Sequence, residues 1–200
     1  MLSRKLPDRH HFYLPPVRLP LTMLRGLVLC GLCLAMPVAA IAQAFQEAAS
    51  VERDQDILYS ADGGGSIETS GDVRTTVLRT NVRIQQGHVT IFGNTATLEQ
   101  DTLTGDLIRV TVEGLEGEPA RFSRETQSAE DEPINGHSHQ IVYYNEPGDG
   151  DNLLSVVEFV GDANFTRGRT ALQCARIKHI VESGATESPG PCSGILAPVP

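Results

Sequence analysis

Apolar and polar residues alternate in short runs along most of the chain from Ile57 onward, the period of a half-buried strand. The runs fall at 57–59, 73–78, 82–85, 89–92, 95–98, 107–112, 120–123, 140–144, 154–159, 163–166 and 172–177. Turn signals separate nearly all of them, among them Gly63-Gly64-Gly65, Ser70-Gly71-Asp72, Gly117-Glu118-Pro119 and Pro147-Gly148-Asp149-Gly150. Many short strands at such intervals predict an all-β sandwich, jelly roll or barrel. Only 45–53 reads as a short turn of helix. The segment RETQSAEDEP, 124–133, reads as an exposed loop, and the proline- and glycine-rich stretch from Gly184 onward reads as a flexible tail that builds no ladder.

One pattern is written twice. NVRIQQGHVTI, 81–91, is followed 81 residues later by DANFTRGRTAL, 162–172. Val82, Ile84, Gly87, Val89 and Ile91 correspond in turn to Ala163, Phe165, Gly168, Thr170 and Leu172. Each copy predicts a hairpin with one apolar face, turning at a glycine that supplies positive φ at little steric cost. Because aliphatics alternate with threonine, arginine and glutamine, each sheet has one apolar and one polar face, and two apolar faces must meet. Packed tightly they make a stable sandwich; splayed, they leave a groove for a ligand with hydrocarbon chains. Alternation alone leaves both open.

The first 44 residues differ from the rest. Arg4, Lys5, Arg9, Arg18 and Arg25 precede the apolar stretch 26–36, Pro37 and the small-residue run VAAIAQA. This is the grammar of a cleavable secretory signal, with A-x-A sites at 40–42 and 42–44; the compact signal beginning at Met23 makes that residue an alternative start. Retention as a membrane anchor is disfavoured by Pro37 and by a length of about 17 residues, the lower limit for a span. The domain therefore runs over 45–183, with the tail at 184–200, in an exported, periplasmic protein.

Removing that segment leaves eleven basic against twenty-four acidic residues, a net charge near −13, with Lys178 the single lysine and no tryptophan. Such a surface repels polyanions, which excludes nucleic acid as a partner. Cys174 and Cys192 remain in the exported part, where an oxidising compartment favours a disulfide. No G-x-S-x-G or Ser-x-x-Lys in a strand-to-helix context offers a nucleophile, and Glu130-Asp131-Glu132 reads as a solvated charge run. His137 and His139 share a strand face without a third ligand, so no metal is expected. Neither catalytic residues nor cofactors are predicted.

Five stretches resemble, in order, the LptA/OstA-like family of periplasmic lipopolysaccharide-export bridge proteins: DQDILYSAD (54–62), TNVRIQQG (80–87), EGEPARF (116–122), NGHSHQIVYY (135–144) and FVGDANFTRG (159–168). Thr80 stands where that family usually has glycine, and Asp162 where it has asparagine. The resemblance implies a twisted, partly open β-jelly roll whose interior receives the acyl chains of lipopolysaccharide. It also implies protomers that line up head to tail between an LptC-like inner-membrane component and an LptD-like outer-membrane translocon. Alternation and the matched positions together nominate Ile57, Tyr59, Ile84, Ile91, Phe122, Tyr143, Phe159 and Phe165 as lipid-lining residues. The competing functions are a membrane-anchored LptC-like component of the same pathway and a secreted jelly-roll enzyme or glycan-binding module.

Overall fold

A computed structural model describes residues 55–126, 132–149 and 152–197; the signal segment, the helical turn expected at 45–53 and residues 127–131 of the acidic loop lie outside the described residues. The strands are β1 (Leu58–Ser60), β2 (Gly65–Ser70), β3 (Val73–Gln86), β4 (Val89–Asp101), β5 (Leu107–Glu113), β6 (Ala120–Arg124), β7 (Ile134–Ser138), β8 (Gln140–Pro147), β9 (Leu153–Arg167), β10 (Thr170–Ile180), β11 (Thr186–Glu187) and β12 (Cys192–Ile195). Every pairing is antiparallel. The all-β expectation holds.

Four long strands, β3, β4, β9 and β10, each serve two leaves. In one leaf the C-terminal halves of β3 and β9 and the N-terminal halves of β4 and β10 pair with β1, β6, β7 and β12. In the other leaf the remaining halves pair with β2, β5, β8 and β11. The leaves face each other across a common apolar core.

The bend between leaves explains the repeated sequence. Register shifts where β3 passes from Arg79 to Val82 against β4, and again where β9 passes from Val160 to Ala163 against Arg176 and Cys174 of β10. In both places the two residues that stand opposite one occupy the left-handed region: Thr80 (φ 67°) and Asn81 (φ 50°), then Gly161 (φ 80°) and Asp162 (φ 46°). Each bulge redirects a long strand from one leaf to the other. Both hairpins turn at the shared glycine, Gly87 (φ 58°) and Gly168 (φ 54°). The two copies are thus one structural unit used twice, a pair of short partner strands followed by two long bent strands.

Asparagine, aspartate and glycine tolerate the left-handed region, whereas a β-branched residue does so at a cost of about 1–2 kcal/mol. Thr80 carries that strain at the position its repeat fills with Gly161. Replacing Thr80 by glycine relieves it against the added chain entropy of glycine, so the variant is expected to gain about 0.5–1 kcal/mol, read as a higher urea midpoint.

The structure corrects the tail. Residues beyond Gly184 do build ladders: β11 pairs Lys178 and His179, and β12 pairs 171–174 of β10. Pro189 and Pro191 fall between β11 and β12, where no ladder donor is needed, and Cys192 is disulfide-bonded to Cys174 directly opposite it, with Cα atoms 4.4 Å apart. That bond closes a loop of 18 residues and is worth roughly 3 kcal/mol in the chain-entropy view, which offsets the cost of ordering four exposed residues.

Candidate functional site

The interior is built by alternation. Ile84 of β3, Ile91 of β4, Phe122 of β6, Tyr143 of β8, and Phe159 and Phe165 of β9 are all buried in one cluster. Ile57, just before β1, packs against its edge. Tyr59, opposite Ile84 in the β1–β3 ladder, shares the inward face, yet it is 50% exposed because β1 is the last strand of its leaf. All eight nominated positions therefore belong to one side of the fold, seven in or against the core and one at its open end.

An aromatic chain joins the two leaves. Phe122 meets Phe159 edge-on with centroids 5.7 Å apart, Phe159 meets Phe165 at 6.0 Å, and Phe165 lies 4.9 Å from the ring of His179. Gly136 of β7 makes room for this chain, since a Cβ there would clash with the edge of the Phe159 ring. Alternation had not marked β7 as a strand because its inward residues are Ile134, Gly136 and Ser138, two of them without an apolar side chain. His179 was likewise missed. It is fully buried, its Nδ1 lies 3.0 Å from the Thr186 hydroxyl, and its pKa is pushed down to about 4 by burial first and by Arg167 and Arg124 second, so it is neutral at pH 7. Glu182 is buried too, its carboxylate accepting the Ser155 N–H at 2.8 and 2.9 Å.

Toward the mouth between the leaves the inward face becomes polar. Gln86, Gln100 and Asn145 join Ile57, Leu107 and Leu153 around a cleft of about 740 Å³. A smaller recess of about 150 Å³ is lined by Arg124, Glu132, Ile134, Arg167, Val181 and Glu182, with Arg167 paired to Glu132 at 3.7 Å. The central interior is filled by side chains, and the open volume lies at its rim. An apolar floor with an amide rim can shelter hydrocarbon while leaving a polar headgroup in water.

Other chemistry is not assembled. His137 and His139 are both exposed; His137 lies on β7, but His139 sits at the corner before β8 and its Nε2 is 3.3 Å from Asp162. Among the described residues no group of three or more histidine, cysteine, aspartate or glutamate side chains is placed to hold a metal.

A family model described as LptA/(LptD N-terminal domain) LPS transport protein matches residues 66–185, from β2 to the loop before β11. The chain belongs to that family. That family is one of lipopolysaccharide transport proteins, not an enzyme family. No curated protein sequence matches the chain. Among solved structures this LptA-like chain is similar to the crystal structure of LptH, the LptA homologous periplasmic component of the conserved lipopolysaccharide transport device from Pseudomonas aeruginosa. The identity is 21% and the TM-score 0.56 over 74% of this chain and 99% of that one. That likeness establishes the fold, an all-β architecture shared with this LptA homologue.

Proposed function

We propose that the protein is a periplasmic carrier that binds lipopolysaccharide by its acyl chains between the two leaves and passes it to the next protomer of a bridge. The observation that carries this reading is the single inward face, apolar along its floor and amide-rimmed at the cleft. Each methylene moved from water to such a face gains about 0.8 kcal/mol, so several acyl chains supply tens of kcal/mol before ordering costs, without a charge pair. The leaves meet at packed side chains, so binding requires the mouth to widen. Spin labels at Gln86 and Gln100, on opposite leaves and both on the rim, are expected to move apart by several ångströms when lipopolysaccharide is added. An unchanged separation in protein shown to carry lipid would sink the reading.

The two ends of the fold support a head-to-tail bridge. Among the described residues, five of the nine exposed large apolar side chains lie on the terminal strands and the residue that follows: Leu58, Tyr59 and Ile67 at one end, Ile195 and Leu196 at the other. These edges offer unpaired backbone groups suited to strand addition. Inside the chain β5 and β6 of the first repeat pair with β8 and β7 of the second. The repeat equates β11 and β12 with β5 and β6, and β1 and β2 with β7 and β8, so the internal joint is a template for the joint between copies. An LptC-like component at the N-terminal end of such a bridge and an LptD-like translocon at the other would engage the same kinds of edge.

A further inference from the structure

The outer face of the β1–β12 leaf carries a chemistry that neither the fold nor an acyl-binding interior requires. Arg83, Phe92 and Arg121 are cross-strand neighbours on β3, β4 and β6, followed in the same row by His137, Asn164 and Gln173 on β7, β9 and β10. Cross-strand partners share a face, so these six side chains form one line across the strands. Neither this row nor the one beside it, Gln85, Thr90, Ser123, Asn135 and Thr166, contains an aspartate or glutamate. In an exported chain with more than twice as many acids as bases, two such acid-free rows are distinctive.

Phe92 organises the cations. The Arg83 guanidinium lies 5.6 Å from the ring centroid and that of Arg121 5.9 Å, so the two lie no more than 11.5 Å apart, the sum of those distances. Held against the ring, each guanidinium loses little further freedom on meeting an anion. Beside them a cleft of about 490 Å³ is lined by Phe92, Arg121, Asn94, Leu115 and Pro119, with Glu118 its one acidic residue.

The internal repeat supplies the control. The corresponding cleft in the second copy, about 370 Å³, is lined by Asp162, Gln173, Cys174, Pro191 and Ser193 among others. There the equivalents of Arg83, Phe92 and Arg121 are Asn164, Gln173 and Ser193. The same bulge and hairpin form without the cationic cluster, so the cluster is not a demand of the architecture.

We propose that the Arg83–Phe92–Arg121 cluster and its cleft bind an anionic saccharide chain, its carboxylates or phosphates on the two guanidiniums and its hydroxyls on the amide side chains further along the row. Guanidinium forks match such oxyanions in bidentate fashion. An acidic polypeptide fits less well, because this row crosses the middle of a sheet whose backbone groups are paired within it, leaving a peptide's own N–H and C=O groups nothing to join. The site lies on the outer face and stands or falls apart from lipid binding inside.

The test is titration calorimetry of the full mature chain with oligogalacturonate, a neutral malto-oligosaccharide of equal length, and polyglutamate. Oligogalacturonate is expected to bind, the neutral chain not, and affinity to fall as salt rises. Arg83→Gln and Arg121→Gln are each expected to weaken binding about tenfold, the scale of one lost charge-assisted contact. Phe92→Leu, which keeps both charges but loses their support, is expected to weaken it about threefold. Arg109→Gln, a guanidinium over Tyr144 on the other leaf, is expected to leave affinity unchanged. Equal binding of the neutral chain, polyglutamate binding as tightly with the same arginine dependence, or an equal loss in Arg109→Gln would each overturn the proposal. Melting midpoints close to that of the unaltered protein show that the variants remain folded.

Discussion

Phe159→Ala is expected to cost about 3–5 kcal/mol of folding stability, the range for deleting a buried phenylalanine side chain. Phe159 is wholly buried, stands between the rings of Phe122 and Phe165, and occupies the space that Gly136 leaves open. It belongs to the half of β9 that pairs with β8, while Phe122 and Phe165 belong to the opposite leaf. Removing it therefore severs the aromatic chain between leaves, and neighbours on two facing leaves cannot collapse into the cavity without moving backbone. A loss on this scale is a large fraction of a typical domain's stability and would appear as a large drop in urea midpoint. Phe159→Leu, which keeps most of the volume, is expected to lose under about 1.5 kcal/mol. Equal and small losses for both would show that the leaves do not lean on this ring.

A mixture of Leu58→Cys protein with Ile195→Cys protein is expected to give a disulfide-linked pair on mild oxidation, while either variant alone gives none. The register follows from the repeat. Ile91 and Leu172 are equivalent, and their partners are Phe122 and Gly194. Ile84 and Phe165 are equivalent, and their partners are Tyr59 and Gly136. Because Phe122 faces Gly136 at the internal joint, Gly194 of one copy should face Tyr59 of the next. One step along the ladder then sets Ile195 opposite Leu58. An aromatic ring over a glycine recurs at both joints with the roles exchanged, and the half-exposed Tyr59 would gain the cover it lacks alone. Tyr59→Cys mixed with Ile195→Cys places the sulfurs on opposite faces and should link far less. Equal yields from both mixtures, or no linked pair at all, would refute this joint.

Much of this fold was legible from alternation alone, because strands with one buried face must alternate. Runs such as Ile84 to Ile91 and Phe159 to Phe165 marked the inward side correctly. What alternation concealed was continuity: 73–78 and 82–85 are one strand, as are 89–92 with 95–98 and 154–159 with 163–166. One extra residue in β3 and one in β9, each within a left-handed pair, shift the register. The inward parity then reverses in the partner strands, from Val89 and Ile91 to Ala96 and Leu98 in β4 and from Cys174 to Ile177 in β10, and each bend imitates a turn. β2 was missed between two turn signals because GSIETS is exposed along its whole length, and alternation did not pick out β7 because a phenylalanine from another strand fills the space above its glycine. The tail was read as flexible from its prolines, although the prolines 189 and 191 sit between strands and the disulfide orders the last one. The nominated interior residues were legible singly; that the interior is filled at its centre and open at its rim depends on how two leaves approach, which no local pattern records.

The most direct test of acyl binding between the leaves is photocrosslinking to lipopolysaccharide labelled in its acyl chains, from a photoreactive residue placed at Ile84 or Phe122, on the inward face, or at Thr90, on the outer face of the same strand system. Adducts from the two inward positions and none from Thr90 are predicted. Adducts from Thr90 with silence at Ile84 and Phe122 would contradict the account.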